Sequence, residues 1–251
     1  MKVSLIDYTG IGNLDPSDHA ATVLIFTKNT RLEMSPGLME EIRMWPKDKK
    51  IDALSYMANT IPSSHEFCHY TFMIEGVTRS FTHQFVRTRT ASFAQQTLRI
   101  LNVKGWKYGT GPTIDSNPIL KAAYDAEMNS IALRYDGLIA GGAAIEDARG
   151  ILPTNILTNI VMSCNLRTLV EMVRKRSSPR TQSEYRDVLE AMKAAAIEVH
   201  PWVKMFVDRT KDQAMKDLDN EIDNMATLGE INSEKRIRMM KLVDQIRQKE
   251  D

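Results

Sequence analysis

Gln84-Phe85-Val86-Arg87-Thr88-Arg89-Thr90-Ala91-Ser92-Phe93-Ala94-Gln95-Gln96-Thr97-Leu98-Arg99 is the most informative stretch of this chain. Three arginines fall within thirteen residues, interleaved with small hydroxyl and amide side chains. Arginine presents a planar fork of donors that suits a phosphate or an imide carbonyl, and its charge does not titrate in the working range. Amide side chains can read the edge of a base, and threonine hydroxyls and backbone amides can hold a phosphate. The composition suits a flat, anionic ligand. Taken alone, it also describes a solvated helix end.

Around this stretch the pattern alternates between strand and helix. Residues 2–8 and the aromatic run His69-Tyr70-Thr71-Phe72-Met73-Ile74 predict strands. Val77, Phe81 and Phe85 recur at four-residue steps and predict one helical stripe over 75–88, with Arg87 and Arg89 where it ends. Residues 97–103 predict another strand. Residues 36–45 and 50–59 predict helices, with Pro36 near the start of the first and Pro46 beyond its end. A long helix over 118–139 has Asn117 as its cap and Pro118 in its first turn. Two more are expected at 154–176 and 181–199, separated by Ser177-Ser178-Pro179, and Pro201 stops the second. From about residue 209 the chain is dense in charge, with Leu218, Ile222 and Met225 on one helical face. Gly229 breaks that pattern and Ser233 is placed to cap a last helix. This tail reads as an accessory hairpin or as a solvated, frayed end.

The bulk numbers narrow the class. The 251 residues are enough for one large domain or two small ones. Apolar residues make up 43% and charged residues 26%, as in ordinary soluble proteins. A net charge of +1 argues against a general nucleic-acid binder while leaving room for a local basic site. Two cysteines, Cys68 and Cys164, argue against a disulfide scaffold and fit a reducing compartment. No apolar run approaches the roughly 18 residues of a membrane span, and the first residues lack a signal-peptide core. The expectation is a cytoplasmic protein with no membrane partner.

The Arg-rich stretch resembles the signature of the flavin-dependent thymidylate synthases: Arg-His-Arg, seven residues, Ser, and an Arg two further on. Here it reads Arg87-Thr88-Arg89, seven residues, Thr97, Arg99. The runs Phe72 to Arg79, Thr82-His83-Gln84, Ala91-Ser92-Phe93 and Gln95-Gln96 are also similar to the family. So are Glu146-Asp147-Ala148-Arg149-Gly150-Ile151-Leu152-Pro153, Asn165-Leu166-Arg167-Thr168-Leu169, and Arg176 followed by Gln182-Ser183-Glu184. These blocks keep the family's order over residues 1–207.

The resemblance implies an α+β fold of the thymidylate synthase-complementing-protein type. It would be a largely antiparallel sheet with long helices in residues 1–207, and 208–251 would be a charged helical extension. It implies FAD as cofactor, NADPH and methylenetetrahydrofolate as co-substrates, dUMP or a related uracil nucleotide as substrate, and a homotetramer with sites between subunits. Ser63, Arg87, Thr88, Arg89, Gln95, Asn165, Arg167 and Glu171 would approach the flavin. Gln84, Arg87, Gln95, Gln96, Thr97, Leu98, Arg99 and Arg149 would surround the nucleotide, and Arg176 would activate the pyrimidine. C5 of uracil is a poor nucleophile, and an arginine at the imide edge can stabilise negative charge on O2, N3 or O4. No cysteine nucleophile is then required, and Cys68 and Cys164 read as small buried residues. Asn165, Leu169, Met172 and Arg176 recur at i, i+4, i+7 and i+11, one face of the expected helix.

Four positions depart from the family pattern: Thr88 for His, Thr97 for Ser, Ile100 for Tyr, and Glu171 for Asn or His. Thr97 keeps a hydroxyl. Thr88 and Glu171 leave open a related hydroxymethylase or methylase of another uracil nucleotide, and a catalytically silent nucleotide-binding homologue. His65-Glu66-Phe67-Cys68-His69 also fits the zinc-hydrolase pattern His-Glu-x-x-His, which needs both histidines on one helix face and a third ligand. The β-prone residues that follow argue against it.

Overall fold

A computed structural model describes residues 1–29, 34–60, 62–103, 105–176, 178, 180–208 and 211–248. Ser177 and Pro179 of the expected helix break, and Arg209 at the start of the tail, lie outside the described residues. The centre is a four-stranded antiparallel sheet in the order β1-β2-β4-β3, built from β1 (Lys2–Tyr8), β2 (His69–Thr78), β3 (Ser92–Gln95) and β4 (Leu157–Asn165). Around it stand α1 (Pro16–Lys28), α2 (Pro36–Arg43), α3 (Lys47–Ala58), α4 (Arg79–Phe85), α5 (Pro112–Asp115) and α6 (Pro118–Ala140). They are followed by α7 (Ile145–Ala148), α8 (Leu166–Arg176), α9 (Ser183–Val199), α10 (Lys204–Val207), α11 (Lys211–Thr227) and α12 (Ser233–Gln248). The fold is α+β with an antiparallel sheet and long helices.

Alternation decides the sheet. Tyr70, Phe72 and Ile74 of β2 and Ile160, Met162 and Cys164 of β4 turn one face inward. They join Leu169 and Val173 of α8 and Val188, Leu189 and Met192 of α9 in one core. The core also takes in Ala20, Ala21, Leu24 and Ile25 of α1, a helix the sequence reading missed. Lys50 of α3 is buried and donates to Asp18 Oδ1 at 2.6 Å and the Arg43 carbonyl at 3.0 Å, tying α3 to α1.

Several sequence expectations are corrected. The helix expected over 75–88 begins at Arg79, because β2 runs on to Thr78. Val77, Phe81 and Phe85 are all buried, but Val77 is buried from the strand. The strand expected at 97–103 lies earlier, at β3, where Ser92 to Gln95 pair with β4. The helix expected over 154–176 divides into β4 and α8. Thr158, Ile160, Met162 and Cys164 are buried with period two, which a helix cannot satisfy. The last helix is capped by Asn232, whose Oδ1 accepts the Lys235 N–H at 2.8 Å, and Ser233 is its first residue. Asn117 and Pro118 start α6 as expected. Among the described residues no helix is long and apolar enough to cross a membrane.

Candidate active site

The site is launched by α4. Thr78 caps this helix by accepting the Phe81 N–H at 3.1 Å. Glu184 of α9 holds the cap in turn, accepting the Thr78 N–H at 2.8 Å and its hydroxyl at 2.5 Å. Phe81 and Phe85 bury the inner face of α4, so the chain leaves it at Val86 with Arg87, Thr88 and Arg89 turned outward. On the facing side, Asn165 ends β4 and its Oδ1 accepts the Thr168 N–H at 2.9 Å, capping α8. Asn165 is therefore a cap and not a member of the helix face on which it was expected.

An open cavity of about 290 Å³ lies between these pieces. Gln84, Arg87, Thr88, Arg89, Glu171 and Arg176, all singled out from the sequence, line it together. Thr90, Thr168, Met172, Lys175 and Tyr185 complete the wall. Arg87, Arg89, Lys175 and Arg176 set four positive charges against the one carboxylate of Glu171, which suits an anionic ligand. Glu171 is held by Arg167 Nε at 3.2 Å and Lys175 Nζ at 3.1 Å, and Arg167 also reaches Glu66 at 2.6 Å. Burial works to raise the Glu171 carboxyl, but the hydrogen bonds from Lys175 and Arg167 outweigh it and hold it below the ordinary range. Hydrogen bonds to Glu66 and Glu171 raise Arg167 in turn.

Other expected residues stand elsewhere. Gln95 donates from Nε2 to Thr82 Oγ1 at 2.9 Å. Gln96, Thr97, Leu98 and Arg99 follow β3, and the Thr97 hydroxyl accepts the Arg99 N–H at 3.1 Å. Arg99 Nε donates to Glu146 Oε2 at 2.9 Å, and Arg149 Nε donates to the Glu146 carbonyl at 3.1 Å, so one residue gathers both arginines. None of Gln96 to Arg99 nor Arg149 lines the cavity of Arg176. Ser63 is exposed on the short 3-10 turn Pro62–Phe67, also outside that cavity.

Sequence reasoning assigned no role to Arg79, Lys175, Glu66 or Tyr185. Arg79 Nη1 is buried with no hydrogen-bond partner. Burial, and then the neighbouring Arg149 charge, lower its pKa from the usual guanidinium value. An anion near Arg79 would satisfy its unpaired nitrogen and offset the charge of Arg149. Arg79 ends the quoted family-like run Phe72 to Arg79, and that was the signal available in the sequence.

His65 and His69 do not share a helix face: His65 is buried on the 3-10 turn against Phe206, and His69 is exposed on β2. Burial pushes the Cys68 thiol up to about 11 and the Cys164 thiol to about 12, so both stay protonated and un-nucleophilic near neutrality.

The chain is an α+β protein with an antiparallel sheet and a cationic cavity lined by hydroxyl and amide side chains. Residues 6–202 match the family described as thymidylate synthase complementing protein, and the chain belongs to that family. A flavin-dependent thymidylate synthase of Clostridium tetani is 30% identical over 80% of this chain and 84% of its own length. One from Nitratidesulfovibrio vulgaris is 35% identical over 59% of this chain, and the chain spans 65% of that protein. The fold is shared with the UMP/dUMP methylase PolB of Streptomyces cacaoi, solved with 5-Br dUMP. The TM-score is 0.65 at 20% identity, covering 82% of this chain and 94% of that one.

Proposed function

We propose that this protein transfers a one-carbon unit from methylenetetrahydrofolate to C5 of dUMP, giving dTMP, with FAD as cofactor and NADPH as reductant. The observation that carries this reading is the meeting of Gln84, Arg87, Thr88, Arg89, Glu171 and Arg176 on one cavity wall, although 92 residues separate the first from the last. The donor set fits FAD: the basic excess answers a diphosphate, and Met172 offers an apolar contact to a ring. When bound, the flavin supplies the hydride that completes the methyl group.

The chain's part is to bind, orient and polarise. Arg176 stabilises negative charge on the imide at O2, N3 or O4 and so favours the anionic form of the ring, whose C5 is the better nucleophile. Gln84 and Arg87 orient the nucleotide. Arg79, Arg99 and Arg149 hold its phosphate, which supplies the anion that the Arg79 Nη1 and Arg149 pair lacks. Arg99 and Arg149 stand apart from Arg176 within one chain, which supports a site shared between copies of a homotetramer. In this reading the site belongs to residues 1–207, and α11 and α12 are an accessory hairpin.

The position of Thr88 and Glu171 on the cavity wall supports a second reading, a related enzyme that hydroxymethylates dUMP or methylates another uracil nucleotide. Turnover with FAD, NADPH, methylenetetrahydrofolate and either dUMP or UMP, with products weighed by mass spectrometry, separates the two. A methyl gain on dUMP is expected, and a hydroxymethyl gain or reaction with UMP alone moves the assignment to the second. No product and no retained flavin would leave only a silent nucleotide-binding homologue. Arg176→Ala should retain its fold and lose about 10²–10³-fold in turnover, the size seen when one donor to a developing oxyanion is removed. Undiminished turnover would refute the role of Arg176.

A further inference from the structure

Arg176 has a neighbour without a role in the mechanism above. Tyr185, in the first turn of α9, is 1% exposed, and its ring packs at 5.2 and 5.8 Å on Phe81 and Phe85 of α4. The Arg176 guanidinium carbon lies 5.1 Å from the centre of that ring. Thr88 and Arg176 both act on the phenol, offsetting part of the pKa rise that burial imposes on it. The end of α8, the start of α9 and the turn after α4 therefore meet at one side chain, and Thr88, Arg176 and Tyr185 all face the same cavity.

The choice of partner has a chemical consequence. Arg176 is exposed at the last residue of its helix, where a free arginine side chain has much rotamer entropy to lose. A carboxylate partner would fix it but would also cancel the charge needed at the reacting ring. A ring face and a phenol oxygen fix it and leave the charge intact. Burial raises the Tyr185 pKa, so the group is a neutral phenol near neutrality.

We propose that Tyr185 is the positioning residue of this site, holding the Arg176 guanidinium and the Thr88 hydroxyl in register on the cavity wall without neutralising the arginine. Its effect on turnover rests on the function proposed above; its effect on Arg176 does not. The test compares wild type, Tyr185→Phe and Tyr185→Leu as full-length protein in two measurements. The first is steady-state turnover of dUMP with FAD, NADPH and methylenetetrahydrofolate. The Phe variant keeps the ring and loses the oxygen, so its kcat should fall about 10-fold. The Leu variant loses both and should fall about 100-fold, with KM for dUMP changed by less than about 3-fold. Arg176→Lys should cost little more in the Leu background, because an unpositioned arginine has little left to lose.

The second measurement needs no activity. The Arg176 Nε–H NMR resonance, identified by its disappearance in Arg176→Lys, should be shifted by the ring current and slow to exchange in wild type. It should move to the random-coil position and exchange fast in the Leu variant. Wild-type kcat in the Leu variant, or an unmoved Arg176 resonance, overturns the proposal. If the Leu variant does not fold, wild-type kcat in the Phe variant overturns it. A wild type without turnover whose Arg176 resonance responds as described would sink the proposed reaction and leave the positioning role standing.

Discussion

Arg79 illustrates how one atom can carry a functional argument. A buried guanidinium nitrogen with no partner costs free energy, and the positive charge of Arg149 adds to that cost. Arg79→Ala should therefore weaken dUMP, seen as a KM raised about 10-fold with kcat nearly unchanged, because a phosphate contact is the same in ground and transition states. Equal affinity for deoxyuridine and dUMP in wild type would remove the phosphate from this pair. His200 makes the opposite point, that a buried titratable group need have no catalytic duty. Tyr70 Oη donates to its Nδ1 at 2.8 Å, and its Nε2 lies 3.1 Å from the Thr9 carbonyl. Burial lowers the pKa of His200 to about 4, and the same cause lowers His65 to about 4. Between about pH 6.5 and 4 the unfolded chain binds protons that the folded one refuses. Stability should be level above pH 6.5 and fall as pH drops through that window, by about 1.4 kcal/mol per unit for each histidine. Urea unfolding across pH 4 to 8 measures this, and a flat profile would mean that both rings protonate freely in the fold.

At the scale of elements, the cavity wall depends on two caps made by polar residues at strand ends. Thr78 closes β2 and starts α4, and Asn165 closes β4 and starts α8. Thr78→Ala removes the cap of α4 and one hydrogen-bond partner of Glu184. It should lower stability by about 1–2 kcal/mol, typical of a lost threonine cap, and loosen Arg87. Thermal unfolding reads the first effect and a raised KM for dUMP the second. This architecture also explains what was legible in the sequence. The capped helix α6 and the charged hairpin could be read locally, because their signals are local. The strand-to-helix change inside 154–176 could not, because Leu166, Leu169 and Val173 continue an apolar run at helical spacing after Thr158, Ile160 and Met162 have set a strand spacing. Helix α1 was missed because apolar and small residues surround it on most sides, leaving little amphipathic contrast. The cavity residues were named through a resemblance to known motifs. Their meeting on one wall depends on β4 carrying α8 past the end of α4, a long-range fact that no local pattern holds.

At the scale of the molecule, the hairpin and the split site raise separate questions. Ile222, Ile231 and Val243 form a small core of their own, distinct from the main one. The site divides differently, for the cavity of Arg176 excludes Arg99 and Arg149, which Glu146 gathers beyond β3. If one nucleotide needs both groups, a second copy must bring the missing one, and neither group suffices on its own chain. Arg176→Ala and Arg99→Ala should each be nearly inactive as pure oligomers. Mixed, dissociated and reassembled, they should regain activity, because a shared site can then draw Arg176 from one copy and Arg99 from another. Random pairing in a symmetric assembly leaves about a quarter of the sites intact. The measurement is turnover before and after remixing, with sedimentation to count copies. Recovery toward about a quarter of wild-type turnover places the two arginines on different subunits of one site. No recovery, in oligomers shown to have exchanged, places them on the same chain and requires that chain to close on its nucleotide by a movement of the segment after β3.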